Sequence, residues 1–136
     1  MSIPISLMLE DRSINLWSYN LETILAEKLQ TILARGVLNT RMRDFYDIHT
    51  LLVGYADQIN TATFSQAFHA TCEKRGTLQS VNWSNEILDM ISEDAALADL
   101  WTSYQRRYSY AENITYSEII ESIKKLLDIL TNNNTL

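Results

Sequence analysis

The motif RMRDFYD places two arginines and two aspartates within seven residues, and these side chains can do chemistry. Asp44 and Asp47 are three positions apart, so on a helix they are neighbours one turn apart. Arg41 and Arg43 lie just before Asp44. Guanidinium groups bind phosphate oxygens through paired N–H donors, whereas carboxylates orient a cation or hold a divalent metal. The pattern is therefore typical of a site for a charged ligand.

One lysine upstream falls on the apolar face of its predicted helix. At about 100° per residue, Lys28 lies inside the apolar arc that Leu25 and Ile32 help to define. Asp44 lies among the apolar residues of the next helix in the same way, and Asp47 borders that arc. A charge on a buried face must reach solvent, pair with an opposite charge or contact a bound ion. If the two helices pack as an antiparallel pair, these charges converge.

The convergence has two interpretations. In the first, Lys28 and Asp44 form a buried ion pair that locks two helices together, with Asp44 also favoured by its place near a helix N-terminus. In the second, Lys28, Arg41 and Arg43 bind the phosphates of a polyphosphate. Asp44 or Asp47 then orients the lysine or helps to hold a metal. Periodicity alone leaves both interpretations open.

The composition limits the class of protein. The chain has 136 residues, 46% of them hydrophobic and 21% charged, which fits one globular domain. A net charge of −6 argues against bulk adhesion to nucleic acid or anionic membranes. The sequence contains neither a membrane span nor a signal peptide, and Cys72 is the only cysteine, so an intrachain disulfide is excluded. We expect a cytoplasmic protein without a membrane partner.

Low glycine and proline content predicts a mainly α fold. We predict a single domain, a bundle of about five to six helices with a short N-terminal β appendage. Residues 1–18 contain two short β-prone stretches, residues 19–131 form the helical region and residues 132–136 form a frayed tail. Capping residues and apolar periods predict helices at 21–35, 41–55, 63–75, 84–91, 94–108 and 115–130.

The stretch WTSYQRRYSY mixes aromatic residues with arginines, which is the composition of a nucleotide-stacking surface. Trp101 and Tyr104 also fit the apolar stripe of their helix, so we predict that both are core residues. Arg106 and Arg107 are predicted to be solvated surface residues. His49 is predicted to be a partly buried structural residue, because its neighbours offer no set of zinc ligands.

The run YNLETILAEKLQTILARGVLNTRMRDFYDIHTLL, residues 19–52, resembles the second half of AbiEii/AbiGii-type nucleotidyltransferase toxins. These are the toxins of bacterial abortive-infection, toxin–antitoxin modules. Their third motif is a helix with a Glu-Lys pair, matched here by Glu27 and Lys28 in LAEKL. The resemblance implies that Lys28 binds nucleotide phosphate and takes part in catalysis, with Glu27 in a supporting role.

The fourth motif of that family is R-x-K-D-x-x-D, which RMRDFYD resembles. Arg43 stands where the pattern has lysine, which keeps the charge but changes the donor geometry. The resemblance implies that Asp44 and Asp47 are catalytic residues and that Arg41 and Arg43 bind nucleotide phosphates. It implies no metal ligand among them.

The resemblance also implies a polymerase β-like nucleotidyltransferase fold, of which this chain looks like the C-terminal portion. In that family a mixed sheet carries a Gly-Ser motif and an Asp-x-Asp motif, and the latter binds Mg²⁺. Here the first glycine is Gly36 and no Asp-x-Asp occurs. We therefore expect residues 3–17 to be the edge of a missing sheet and the chain alone to be inactive.

The resemblance implies Mg²⁺ and an NTP as cofactor and substrate of the complete enzyme, and we expect neither to bind this chain alone. It implies NTP-dependent nucleotidyl transfer, with RNA as an acceptor only in the complete enzyme. Expected partners are an antitoxin, a separate N-terminal catalytic half, or a second copy joined through the N-terminal strands. The alternative is a non-catalytic helical interaction module that binds an antitoxin, a partner chain or itself.

Overall fold

The computed structural model describes residues 21–133, with the side chains of 79–81, 132 and 133 excepted. This part of the chain is mainly helical, as predicted, and contains no strand. The β appendage predicted for residues 1–18 lies outside the described residues. The six α-helices are α1 (Leu21–Arg35), α2 (Met42–Tyr55), α3 (Thr61–Arg75), α4 (Ser84–Glu93), α5 (Ala95–Arg107) and α6 (Tyr116–Asn133).

Helix α1 ends where the sequence predicts. Gly36 has a φ of 53°, a left-handed conformation that a side chain would strain, and it begins the 3-10 turn Gly36–Leu38. After this turn, the fully buried Asn39 accepts a hydrogen bond on Oδ1 from the backbone N–H of Arg41, at 2.9 Å. This contact fixes the chain just before α2 and therefore the position from which Arg41 and Asp44 project.

Helix α3 begins earlier than predicted. The sequence indicates a start at Thr63, but α3 starts at Thr61 because Asn60 is the N-cap and accepts from the Thr63 N–H at 2.9 Å. The buried carboxylate of Glu22 on α1 accepts the backbone N–H of Asn60 at 2.6 Å. The predicted stop at Gly76 is confirmed, with a φ of 72°.

Helix α6 has the capping box that the sequence predicts. The hydroxyl of Thr115 accepts the Glu118 N–H at 3.1 Å, and the Glu118 carboxylate accepts the Thr115 N–H at 2.8 Å. The helix continues to Asn133, two residues beyond the predicted helical region.

The core is built by the apolar stripes of the helices. Helix α1 packs most extensively on α3, and α6 packs on α2, α3 and α4, while α5 reaches both α2 and α6. Among the described residues, the largest fully buried side chains come from all six helices: Leu25, Leu29 and Ile32 of α1, Phe45 and Ile48 of α2, Phe64 and Phe68 of α3, Ile91 of α4, Leu97 and Trp101 of α5, and Ile119 of α6. These contacts hold α1, α2 and α5 in fixed relative positions.

We expect His49 of α2 to make the stability of the fold dependent on pH. Its Nδ1 lies 2.7 Å from the Ser122 hydroxyl of α6, and burial lowers its pKa below the ordinary 6.5, although Glu118 acts in the opposite direction. The unfolded chain therefore binds more protons at this residue below about pH 6.5, so its contribution to the free energy of unfolding decreases as the pH falls. We expect His49→Gln to lose less stability than the wild type between pH 7 and pH 5 in urea titrations. Equal losses in the two proteins would contradict this assignment.

Candidate functional site

The charged residues predicted from the sequence meet in one continuous chain of ion pairs between α1 and α2. The ammonium nitrogen of Lys28 lies 3.4 Å from Oδ1 of Asp44 and 2.9 Å from Oδ2 of Asp47. Arg41 Nε lies 3.6 Å from the other Asp44 oxygen, and Arg43 Nε donates to the other Asp47 oxygen at 3.0 Å. Each of the four carboxylate oxygens thus faces a cation. We call these five residues the ion-pair chain.

The acids of the ion-pair chain are buried and its arginines are not. Asp44 and Asp47 are only 5% and 4% exposed. The side chains of Arg41 and Arg43 are 59% and 45% exposed, and that of Lys28 is 25% exposed. Three cations and two carboxylates leave a formal charge of +1, presented to solvent by the two arginines.

Local helix geometry explains this arrangement. Arg41 and Asp44 are related as i and i+3, and Arg43 and Asp47 as i and i+4, so each arginine reaches an acid one turn along α2. Partial burial acts to lower the pKa of Arg43, but the hydrogen bond and charge of Asp47 outweigh it and raise the pKa overall. Arg43 therefore remains charged at any physiological pH.

Glu27 does not join the other predicted site residues. It lies on the exposed side of α1, and none of the ion pairs found among residues 21–133 involves it. Adjacent residues on a helix point about 100° apart, so Lys28 can face α2 while Glu27 faces solvent.

Asp44 and Asp47 do not fit a magnesium site as they stand. Divalent magnesium needs carboxylate oxygens free to coordinate it, and all four oxygens here face lysine or arginine nitrogens at 2.9–3.6 Å. Among the described residues there is also no group of three or more metal-binding side chains. We therefore assign no step of the chemistry to a metal held by these residues.

A cavity of about 320 Å³ adjoins the arginine side of the ion-pair chain. It lies between the N-terminal end of α2 and α5. Its lining combines arginines, tyrosines and small polar residues: Thr40, Arg41, Met42, Arg43, Leu100, Ser103, Tyr104, Arg107 and Tyr108.

The cavity changes the interpretation of the aromatic stretch. Trp101 is 1% exposed and its indole N–H donates to the Ile114 carbonyl at 2.8 Å, so the prediction of a core residue is confirmed. Tyr104 packs on Trp101 but is only partly buried and also lines the cavity. Arg107 is exposed, as predicted, yet it lines the same cavity. The periodicity assigned Tyr104 to the core, whereas it packs against the core with one side and borders the cavity with the other.

Four tyrosines form a cluster beside the arginines. The ring centroids of Tyr46 and Tyr110 are 4.7 Å apart, as are those of Tyr104 and Tyr108. The hydroxyls of Tyr104 and Tyr110 are hydrogen-bonded at 2.8 Å. Burial raises the pKa of Tyr46 and of Tyr104 above the ordinary 10.0, so these hydroxyls stay neutral near pH 7 and do not repel an anion.

The comparisons with known proteins agree with the motifs. The family described as nucleotidyl transferase AbiEii toxin, type IV toxin–antitoxin system, matches residues 2–128. No curated protein and no solved structure matches the chain significantly. Within residues 21–133, no helix has the length and apolar character needed to cross a membrane. The family match covers nearly all of the 136 residues and confirms the resemblance found in residues 19–52. The chain belongs to the AbiEii nucleotidyltransferase toxin family.

Proposed function

We propose that this chain provides the phosphate-binding part of a toxin nucleotidyltransferase and that the ion-pair chain positions the polyphosphate of an NTP. Because the cations of the ion-pair chain are already held in place, we replace the expectation from the sequence that no NTP binds this chain alone, and we expect the phosphate site to bind an NTP without the rest of the enzyme. The proposal is supported above all by the meeting of Lys28, Asp44 and Asp47, the residues that resemble the third and fourth motifs of the family. The type IV toxin–antitoxin family also implies an antitoxin as the partner of the protein.

In this proposal the acids act as positioning residues for the cations. A guanidinium carries five N–H donors, and the pairs with Asp44 and Asp47 engage the Nε atom of each arginine. The terminal nitrogens of Arg41 and Arg43 then face phosphate oxygens. Lys28 adds a third positive charge, and its ammonium group is held in place by Asp44 and Asp47. Cations fixed in advance bind a polyanion without first having to be ordered, which is the basis of electrostatic preorganisation.

We further propose that the 136-residue chain does not transfer a nucleotide by itself. Nucleotidyl transfer in this family uses paired carboxylates that bind Mg²⁺, and the sequence contains no Asp-x-Asp motif. The acids of the ion-pair chain are engaged by cations and do not supply that pair. We therefore propose nucleotidyl transfer to an RNA acceptor only for the complete enzyme.

A second function rests on the same geometry. A chain of ion pairs that satisfies every carboxylate oxygen also suits a non-catalytic helical module, in which it only locks α1 to α2. The two functions differ in one respect: only the first requires the arginines to bind phosphate.

Replacing Arg41 separates these functions. The Arg41 side chain is 59% exposed, and its Nε lies 3.6 Å from Oδ2 of Asp44, which is a long and therefore weak ion pair. We therefore expect Arg41→Ala to change the free energy of unfolding by less than about 1 kcal/mol. We expect it to weaken binding of GTP and of inorganic tripolyphosphate about fivefold to tenfold in calorimetric titrations, because one cation of three is lost. Arg35→Ala, at the exposed C-terminal end of α1, is the matched control and should bind like the wild type.

Two outcomes contradict the proposal. If neither GTP nor tripolyphosphate binds the wild-type chain, the phosphate site does not exist and the helical module is favoured. If the chain transfers label from radioactive GTP to tRNA in the presence of Mg²⁺, the predicted inactivity of the chain alone is wrong.

A further inference from the structure

The residues that line the cavity from α5 follow a regular helical spacing in the sequence. Its α5 wall consists of Leu100, Ser103, Tyr104 and Arg107, spaced at i, i+3, i+4 and i+7, and Tyr108 follows at the helix end. This spacing puts all of them on one face of the helix. The face is not a purely apolar stripe, because it carries a cation, a hydroxyl and two aromatic rings along with one leucine.

The cavity is lined by three arginines in an acidic protein, and two of them are paired with Asp44 and Asp47. Arg41 and Arg43 line it from α2 and Arg107 lines it from α5, while none of its nine lining residues is acidic. The whole chain has a formal charge of −6, so three arginines around one cavity run against the general composition. Cations gathered around a concavity favour an anionic ligand.

The same cavity offers aromatic surface. Tyr104 and Tyr108 line it with ring centroids 4.7 Å apart, and the Arg107 guanidinium carbon lies 5.6 Å from the Tyr108 ring centre. Tyrosine rings and guanidinium planes are the surfaces on which nucleic-acid bases stack. The volume of about 320 Å³ lies at the lower end of the range for small-molecule sites, about 300–1,000 Å³, which suits one nucleotide.

We propose that this cavity binds one nucleotide, with its base against Tyr104 and Tyr108 and its phosphate at Arg41, Arg43 and Arg107. The inference extends the proposed function, since Arg41 and Arg43 belong to both sites. The nucleotide comes from one of two sources: the NTP whose polyphosphate lies at the ion-pair chain, or the end of a single-stranded RNA. The chemistry recognised is the same in both.

Calorimetric titrations with three probes test this proposal: GTP, inorganic tripolyphosphate and a single-stranded hexauridylate RNA. Because stacking of one base on an aromatic residue is worth about 1–3 kcal/mol, GTP or the RNA should bind about tenfold more tightly than tripolyphosphate. Tyr108→Ala and Tyr108→Leu should remove most of that advantage and leave tripolyphosphate binding unchanged. Arg107→Ala should weaken GTP or RNA binding, whereas Arg106→Ala, the exposed neighbour outside the cavity, should not.

The three probes also distinguish the two sources of the nucleotide, and they show whether the base site or the phosphate site has failed. Loss confined to GTP in the Tyr108 variants identifies the NTP as the source, and loss confined to the RNA identifies an RNA end. If tripolyphosphate binds as tightly as both nucleotide probes, or if folded Tyr108 variants bind them normally, the base site is refuted while the phosphate site stands. If tripolyphosphate fails to bind but GTP binding depends on Tyr108, the base site stands and the ion-pair site is refuted.

Discussion

Replacement of Lys28 by methionine is expected to lower the free energy of unfolding by about 2 to 3 kcal/mol, although methionine keeps the length and most of the apolar contacts of the side chain. The reason lies in the partners of Lys28. Asp44 and Asp47 are 5% and 4% exposed, and within residues 21–133 the lysine ammonium is the one cation that both of them contact. Without it, two buried carboxylates face each other with compensation only from Arg41 and Arg43.

Breaking a buried ion pair typically costs about 3–5 kcal/mol. The loss expected for Lys28→Met is at or slightly below the lower end of this range. Arg41 and Arg43 remain as partners, and the Lys28 side chain is 25% exposed, so water screens part of the interaction. The measurement is the urea-unfolding free energy. Lys124→Met, on the exposed face of α6, is the matched control and should change it by less than about 0.5 kcal/mol. Similar values for Lys28→Met and Lys124→Met would show that the ion-pair chain contributes little to the fold.

Replacement of Trp101 by alanine is expected to cost about 3 to 5 kcal/mol of stability, the largest single effect considered for this protein. Trp101 is the largest fully buried side chain in the described part of the chain, and its removal leaves a cavity between α5 and its neighbours. The Ile114 carbonyl also loses the indole N–H that lies 2.8 Å away. Because the Trp101 and Tyr104 rings stack at 5.3 Å, the loss should also loosen the aromatic wall of the cavity.

Trp83 provides the control for this prediction. It is 61% exposed, so Trp83→Ala removes the same side chain with little loss of buried area and should cost less than about 1 kcal/mol. Thermal or urea unfolding of both variants gives the comparison. Equal destabilisation by the two replacements would mean that Trp101 is not the packing centre of α5.

Much of the fold follows from local sequence signals. The end of α1 at Gly36, the end of α3 at Gly76 and the capping box of Thr115 and Glu118 all lie where the sequence predicts. Each depends on interactions within a few residues, and such interactions can be inferred from residue type and spacing. The start of α3 was harder to predict, because Asn60 is positioned as N-cap partly by the buried Glu22, which is 38 residues away in sequence.

The convergence of five of the six predicted charged residues followed from the sequence, but the geometry of their contacts did not, and Glu27 lies apart from them. The anomalous positions of Lys28 and Asp44 on apolar faces indicated that they converge, and they do. That Lys28 approaches Asp47 more closely, and that the two arginines complete the pairing, depends on the packing of α1 against α2. Periodicity gives the face of a residue on its own helix, but not its distance from a neighbouring helix.

The cavity was even harder to predict from helical periodicity, because its walls come from two helices. The α5 face with Tyr104 and Arg107 can be recognised in the sequence as a mixed stripe, but the opposite wall comes from Arg41 and Arg43, about sixty residues earlier. Only the packing of α5 beside the start of α2 brings these walls together.

In the proposed function phosphate must reach the cations of the ion-pair chain, and side-chain NMR measures this directly. Chemical shifts of the Lys28 Nζ and the Arg41 and Arg43 Nε groups would be followed while inorganic tripolyphosphate is added to the isotope-labelled chain. We predict saturable shifts in all three groups, with smaller changes at the exposed Arg106. Saturable binding that leaves these three groups unchanged, or shifts no larger than those of Arg106, would contradict the account.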